Sequence, residues 1–259
     1  MIQIQAIDKT FNPQTNRAHH ALRQVSLTIT PGDFITIVGG NGAGKSTFLN
    51  AIAGSFPLDA GAILIEGKDI SHQSESKRAQ TISRVYQNPL QGTAPRMTVA
   101  ENLSLAQRRG CRRGLKRGKT SQEIEQFYQQ LQAMNLGLEH RLNSEMGVLS
   151  GGQRQAIALL MATIRAPKLL LLDEHTAALD PKTQRMMMEL TQEKITTDHL
   201  TALMITHQLS DAIEYGNRLI VMHQGEIVRD LSAEEKAQLT TTSLYELLAS
   251  YDVKEKHSK

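Results

Sequence analysis

The 259-residue chain has one cysteine, Cys111, no tryptophan, seven prolines and an aromatic content of 4%. A single thiol excludes a disulfide framework and fits a reducing compartment. Without tryptophan, a core of any size must be filled by Leu, Ile, Val, Ala and the ten methionines. Long apolar runs are missing as well: the longest nearly apolar stretch, Ala156 to Ile164, is far short of the roughly 20 residues that cross a bilayer. The opening residues, Met1-Ile2-Gln3-Ile4-Gln5, carry neither the basic nor the apolar region of a secretory signal. Their alternation predicts an edge strand, and the chain is not expected to span a membrane by itself. What is present, 40% hydrophobic and 21% charged residues, is the composition of a folded globular protein.

Charge of one sign is also scarce outside one segment. The net charge is +3, yet Arg108, Arg109, Arg112, Arg113, Lys116, Arg117 and Lys119 lie within a dozen positions, and without them the remainder is net negative. The basic pI therefore belongs to one patch. A chain-wide nucleic-acid surface is not implied, and no nucleic-acid partner is expected.

Apolar or alternating runs at 2–7, 25–29, 34–38 and 63–65 are separated by Pro, Gly and Asn, and predict strands. Phe34 to Val38 runs into a glycine-rich turn and then into Lys45 to Ala53, where Phe48, Leu49 and Ile52 have helical spacing. From about 88 to 165 the sequence is helix-forming, and Ile124, Phe127, Tyr128, Leu131 and Met134 share one face. Strand character returns at 169–172, 202–205 and 219–222, with a helix over 182–195. Such alternation implies a largely parallel sheet. A short strand at 226–228, a helix at 244–249 and a charged, disordered tail close the chain.

Gly39-Gly40-Asn41-Gly42-Ala43-Gly44-Lys45-Ser46 matches G-x-x-x-x-G-K-[ST], the Walker A loop, in the strand-to-helix context that the motif requires. Curled glycine backbone turns successive N–H groups toward phosphate oxygens, and the helix start adds its positive end. Lys45 suits the β and γ phosphates, Ser46 a Mg²⁺ ion, and Thr47 the α phosphate. Leu169 to Leu172 followed by Asp173 and Glu174 has the form of Walker B: Asp173 to hold the metal through water, Glu174 to polarise the attacking water. Taken alone, these residues could be a chance turn and a solvated strand end; each makes the other reading of its partner less apt.

Leu149-Ser150-Gly151-Gly152-Gln153 spells LSGGQ before a helical apolar pattern. Ser150 and the amides of Gly151 and Gly152 at a helix start form a second anion site, although a helix cap and a turn would use the same residues. With these strings in this order, the chain resembles the ATP-binding cassette (ABC) ATPases over nearly its whole length. The resemblance implies an α/β fold: a P-loop NTPase core with a mainly parallel sheet, an antiparallel β subdomain and a helical insert. It further implies one ATPase domain over 1–247, with core segments 1–87 and 166–235, a helical subdomain over 88–165 and a tail over 248–259.

Smaller motifs match the family in order. Gln87 matches the Q-loop glutamine that senses metal and γ phosphate, Asp180 the D-loop aspartate, His207 the switch histidine on the γ phosphate, and Phe11 the aromatic that stacks on adenine. Phe11 could also be a strand-end core residue. His175 departs from the family, which has proline after the glutamate; it removes no catalytic group but could perturb Glu174 electrostatically.

In the family the signature of one copy completes the cradle of another, so a head-to-tail dimer closed by ATP and opened by hydrolysis is implied. Without a membrane span the work must reach a partner: an integral membrane permease contacting the segment after Gln87, with the chain peripheral on the cytoplasmic face. The Walker strings and basic insert look like bacterial import ATPases for amino-acid-type solutes, aromatic amino acids among them, which implies an extracytoplasmic solute-binding protein. The basic run suits anionic headgroups or an acidic loop, or is a solvated loop. The alternative function is an ATPase of a soluble assembly machine, such as iron-sulfur cluster biogenesis. An ABC protein acting on the ribosome would usually carry two cassettes or a long coiled-coil insert, and neither is present.

Overall fold

A computed structural model describes residues 1–111 and 120–256. Arg112, Arg113, Lys116, Arg117 and Lys119 of the basic run lie outside the described residues. In chain order the strands are β1 (Ile2–Phe11), β2 (His19–Ile29), β3 (Phe34–Val38), β4 (Ala60–Ile65), β5 (Lys68–Asp69), β6 (Ile82–Val85), β7 (Leu169–Asp173), β8 (Ala202–Ile205), β9 (Arg218–His223) and β10 (Glu226–Leu231). The α-helices are α1 (Lys45–Ala53), α2 (Glu75–Arg78), α3 (Val99–Gln107), α4 (Ser121–Ala133), α5 (Gly151–Thr163), α6 (Pro181–Thr197), α7 (Leu209–Glu214), α8 (Ala233–Ala237) and α9 (Thr241–Lys256). Packing divides the chain into two compact units, Met1–Arg78 with His199–Lys259, and Ala79–Asp198.

The first unit holds an antiparallel sheet in the order β2-β1-β4-β5. Ile2 pairs with Ile29 on one side and Ile65 on the other, and Ile4 with Leu27 and Ile63. These residues are buried, so one face of the sheet is a row of β-branched and leucine side chains. β1 is therefore an interior strand, not the edge strand expected. Alternation reports which face is buried, and says nothing of how many neighbours the backbone bonds. A second group of strands, β10-β9-β3-β8, pairs β3 in parallel with β8 and β9, while β10 is antiparallel. All five β3 side chains are buried, as a parallel interior strand requires.

Arg78, 1% exposed, closes the C-terminal end of α1. Its guanidinium donates to the Ala51 and Ile52 carbonyls at 2.8 and 2.9 Å, and to Ser71 and Gln73 carbonyls at 2.7 and 3.1 Å. Helix ends leave carbonyls without intrahelical donors, and here one planar fork satisfies them. Burial pulls the Arg78 pKa down from its ordinary value, but four acceptors hold the charge. Replacing Arg78 by Ala is expected to destabilise the fold by about 1–3 kcal/mol for each buried carbonyl it orphans, read as a lower urea midpoint; an unchanged midpoint would refute this role.

The end of the chain differs from expectation. α9 runs to Lys256, past the residue 248 at which a disordered tail was expected to begin. Leu244 is fully buried, and Leu247, Leu248 and Tyr251 pack on Val38, Leu219 and Val221. The Tyr251 ring meets His223 at 5.6 Å and lies 5.9 Å from the Arg229 guanidinium. These apolar contacts continue the helix where composition alone suggested solvent.

In the second unit, β6 and β7 pair in parallel, Ile82 with Leu169 and Val85 with Leu172. Capping boxes start α3 (Thr98 with Glu101), α4 (Thr120 with Glu123) and α5 (Ser150 with Gln153). On α4 the expected apolar face is seen, with Phe127 and Leu131 fully buried. Among the described residues no helix is long and apolar enough to cross a membrane.

Candidate functional site

The glycine-rich loop leaves β3 at Gly39 and enters α1 at Lys45. Gly39 has φ 154°, and a Cβ there would stand 2.2 Å from the Met222 carbonyl oxygen of β9. The first glycine is thus demanded by its strand neighbour as well as by the turn. Gly44, the N-cap of α1, offers no side-chain cap, so the helix start is left to backbone and ligand. Lys45 is buried, and its ammonium donates to the Gly39 and Gly40 carbonyls at 2.7 and 3.0 Å. Gly40, Asn41, Gly42 and Ser46 are exposed around it, while Ala43 is buried. A positive helix end, an uncapped N-terminus and a cation folded into the loop form a cradle that fits a polyphosphate.

His207 follows β8 and is exposed. Met204 and Ile205 pair with Thr36 and Ile37, which carries His207 to the end of β3 where the loop begins. A cavity of about 260 Å³ is lined by Gly39, Gly40, His207, Met222 and Tyr245. The fold therefore brings His207 and the loop together within one unit. Phe11 ends β1, half-buried, with its ring edge-on to Phe56 at 5.2 Å. Lys9, bonded to Asp59 at 2.8 Å, stands 5.6 Å from both ring centres. Phe56 and Lys9 are neighbours of Phe11 that sequence patterns do not announce.

In the second unit, Leu169 to Leu172 are fully buried and deliver Asp173 to the end of β7. Glu174 then adopts φ 48°. A non-glycine residue in this left-handed region costs on the order of 1 kcal/mol, and turns the chain sharply after the strand. The turn is closed by the Ala177 amide, which donates to the Glu174 carbonyl at 3.0 Å. Asp173 is not exposed to water alone. Its Oδ2 accepts from the Arg84 guanidinium at 2.5 Å, with both side chains largely covered.

His175 is buried, and its Nε2 lies 3.0 Å from Thr191 Oγ1 on α6. Thr191 spends its one hydroxyl proton on the Met187 carbonyl, at 2.7 Å, so the imidazole Nε2–H must be the donor. Burial pushes the His175 pKa down to about 4. At neutral pH the ring is uncharged; it tethers the Glu174 turn to α6 and does not act on Glu174 as a charge. That corrects the electrostatic role expected for it. Because the unfolded chain takes up this proton near pH 6.5 and the folded chain only near 4, stability is expected to fall across that window by up to about 3 kcal/mol. The variant His175→Gln, which keeps a donor for Thr191 but does not titrate, should lose that part of the acid slope in urea melts between pH 7 and 4. An identical slope in parent and variant would reject the assignment.

Ser150 is the exposed N-cap of α5, its Oγ accepting from the Gln153 amide at 3.3 Å while Gln153 Oε1 accepts from the Ser150 amide at 3.1 Å. Gly151 is exposed and Gly152 buried, and a Cβ on Gly152 would stand 2.4 Å from Thr183 Cγ2 of α6. The glycines thus allow close packing on α6 while the helix start faces solvent. Asp180 caps α6 through the Thr183 amide at 3.1 Å, and bonding to Thr183 holds its carboxyl below the usual range. Gln87 follows β6 and is exposed. The segment before it is pinned by Gln155, 1% exposed, whose amide donates to the Tyr86 carbonyl at 3.1 Å. Arg84 and Gln155 escaped sequence reasoning, since a polar residue within an apolar run carries no signal of its partner.

Mg²⁺ takes hard oxygen donors and keeps much of its water. Ser46 in the first unit and Asp173 in the second each carry such a donor, and Arg84 bonds Oδ2 of the Asp173 carboxylate. Among the described residues no group of three or more His, Cys, Asp or Glu is arranged to hold a metal ion, and an ion held largely by nucleotide oxygens and water needs none.

The family described as ABC transporter matches residues 22–177. Over 249 residues the chain is 43% identical to the tyrosine transport ATP-binding protein of Clostridioides difficile, covering 95% of this chain and 98% of that one. The spermidine/putrescine import ATP-binding protein PotA of Pasteurella multocida is 33% identical over 240 residues, a match spanning 91% of this chain and 59% of the relative. The ATP-binding cassette MJ0796, solved as a post-hydrolysis dimer bound to ADP and Pi, superposes with a TM-score of 0.77 at 28% identity, covering 90% of this chain and 99% of that chain. With its two Walker strings and LSGGQ signature on the elements described, the chain belongs to the ABC transporter family as an ATP-binding, ATP-hydrolysing subunit.

Proposed function

We propose that two copies of this chain pair head to tail around ATP and power uptake of an amino-acid-type solute, tyrosine first among candidates, through a separate membrane permease. The observation that carries the solute class is the 43% identity, over 95% of this chain, to a protein named for tyrosine transport. The polyamine relative is named for import, which supports the inward direction.

In this reading the phosphates lie along the Gly39 to Gly44 backbone at the start of α1. Lys45 contacts the β and γ oxygens, Thr47 lies near the α phosphate, and Phe11 faces the adenine. Ser46, Asp173 and Gln87 would hold Mg²⁺, directly or through water, and the ion would neutralise charge on the β and γ oxygens. Glu174 accepts a proton from the attacking water, and His207 donates to the γ phosphate. Ser150, Gly151, Gly152 and Gln153 of the second copy cover that phosphate and exclude bulk water, with Asp180 at the contact. Cleavage cuts the tie between the copies, and they part. The helical segment 88–165 receives the permease at the cytoplasmic face of the membrane, and an extracytoplasmic binding protein presents the solute.

Tagged Glu174→Gln chain, captured with ATP from solubilised native membranes, should bring down a polytopic membrane protein. The same complex rebuilt with the parental chain in liposomes should take up labelled tyrosine only when ATP is supplied on the side of the ATPase. Capture of a soluble scaffold complex instead, or uptake of thiamine or spermidine in place of tyrosine, overturns the proposal.

A further inference from the structure

The ion pair between Arg84 and Asp173 has no counterpart among the motifs above. Arg84 stands on β6 opposite Leu171, with Val85 opposite Leu172, so its side chain must reach along the strand to meet Asp173 at the end of β7. It does so at 2.5 Å, with the two side chains 12% and 16% exposed. A charge-assisted bond this covered is weakly screened by salt and water. The guanidinium also lies 4.6 Å from the centre of the Tyr86 ring, which fixes its plane. Beyond it opens a groove of about 470 Å³ lined by Arg84, Tyr86, Gly92, Leu105 and Arg109. Arg84 is thus held firmly, yet has space into which it can withdraw.

We propose that Arg84 is a positioning residue for Asp173 whose guanidinium competes with the divalent cation for that carboxylate. The inference rests on the reading of Asp173 as the carboxylate that holds the metal's water. Two cations near one carboxylate repel each other, and each weakens the negative potential that attracts the other. Arg84 keeps Asp173 in a single orientation and offsets its charge. A bound divalent cation would need part of the same carboxylate, and the groove would give the guanidinium room to move aside. The pair therefore sets the metal affinity of the loaded site below what Asp173 alone would provide.

The test measures Mn²⁺ binding by electron paramagnetic resonance with ATP present, in a Glu174→Gln background so that no nucleotide is consumed. Arg84→Met and Arg84→Gln remove the charge, the second keeping a polar group beside Asp173, and whichever folds can be used. Either is expected to bind Mn²⁺ about tenfold more tightly than the parent, with ATP affinity in EDTA unchanged. Arg84→Lys, which keeps the charge, should return toward the parental value. Mn²⁺ affinity that is unchanged or weaker in the neutral variants overturns the competition. Asp173→Asn in the same background separates the two ideas: if it binds Mn²⁺ as the parent does, the metal role of Asp173 fails, and if it loses binding while the neutral Arg84 variants do not tighten, only the competition fails.

Discussion

Glu174→Gln is expected to bind ATP as the parent does, to lose turnover by about 10²–10⁴-fold, the usual contribution of a positioned general base, and to accumulate as an ATP-dependent dimer. The amide cannot accept the proton of the attacking water, but it has the size of the carboxylate. It also tolerates the left-handed backbone at φ 48° about as well as glutamate, so the turn after β7 should survive. Phosphate release measures the rate, and elution volume with and without ATP measures the dimer. Hydrolysis at the parental rate would remove Glu174 from the reaction. A slow enzyme that stays monomeric with ATP would leave the base in place and remove the clamp.

Lys45→Met should weaken ATP binding by about 100-fold, as expected from losing charge-assisted bonds to two phosphates, and should abolish turnover with it. The Lys45 ammonium is bonded to the Gly39 and Gly40 carbonyls, and a phosphate would draw it away from those oxygens. Methionine keeps the apolar stem in its buried place, so the thermal midpoint should change far less than the affinity. Titration with a fluorescent ATP analogue, beside a melting curve, separates the two effects. Near-parental nucleotide affinity in a folded Lys45→Met protein would contradict the cradle.

Much of the local architecture can be read from residue order. β3, the glycine loop and α1 follow one another because an all-apolar run, a set of glycines and a helical apolar spacing are each short-range signals. Leu169 to Leu172 announce a buried parallel strand for the same reason, and Ser150 with Gln153 announces a helix start. The signals fail where a partner lies far along the chain. Arg84 looks like a polar interruption of a strand until β6 is laid beside β7 and Asp173 comes within reach. His175 looks like a charge beside Glu174 until α6 buries it against Thr191 and leaves it neutral. The last turns of α9 look like a tail until Leu248 and Tyr251 find the apolar side of β9.

The order of motifs along the chain determined the family, the phosphate loop, the Walker acids and the signature, because each depends on neighbours within a few residues. Tertiary structure alone decided that β1 is an interior strand, that Arg84 holds Asp173, that Arg78 closes α1 and that His175 is a neutral tether. Those facts depend on pairing and burial between segments distant in sequence, and a side chain's charge and role follow from what packs around it.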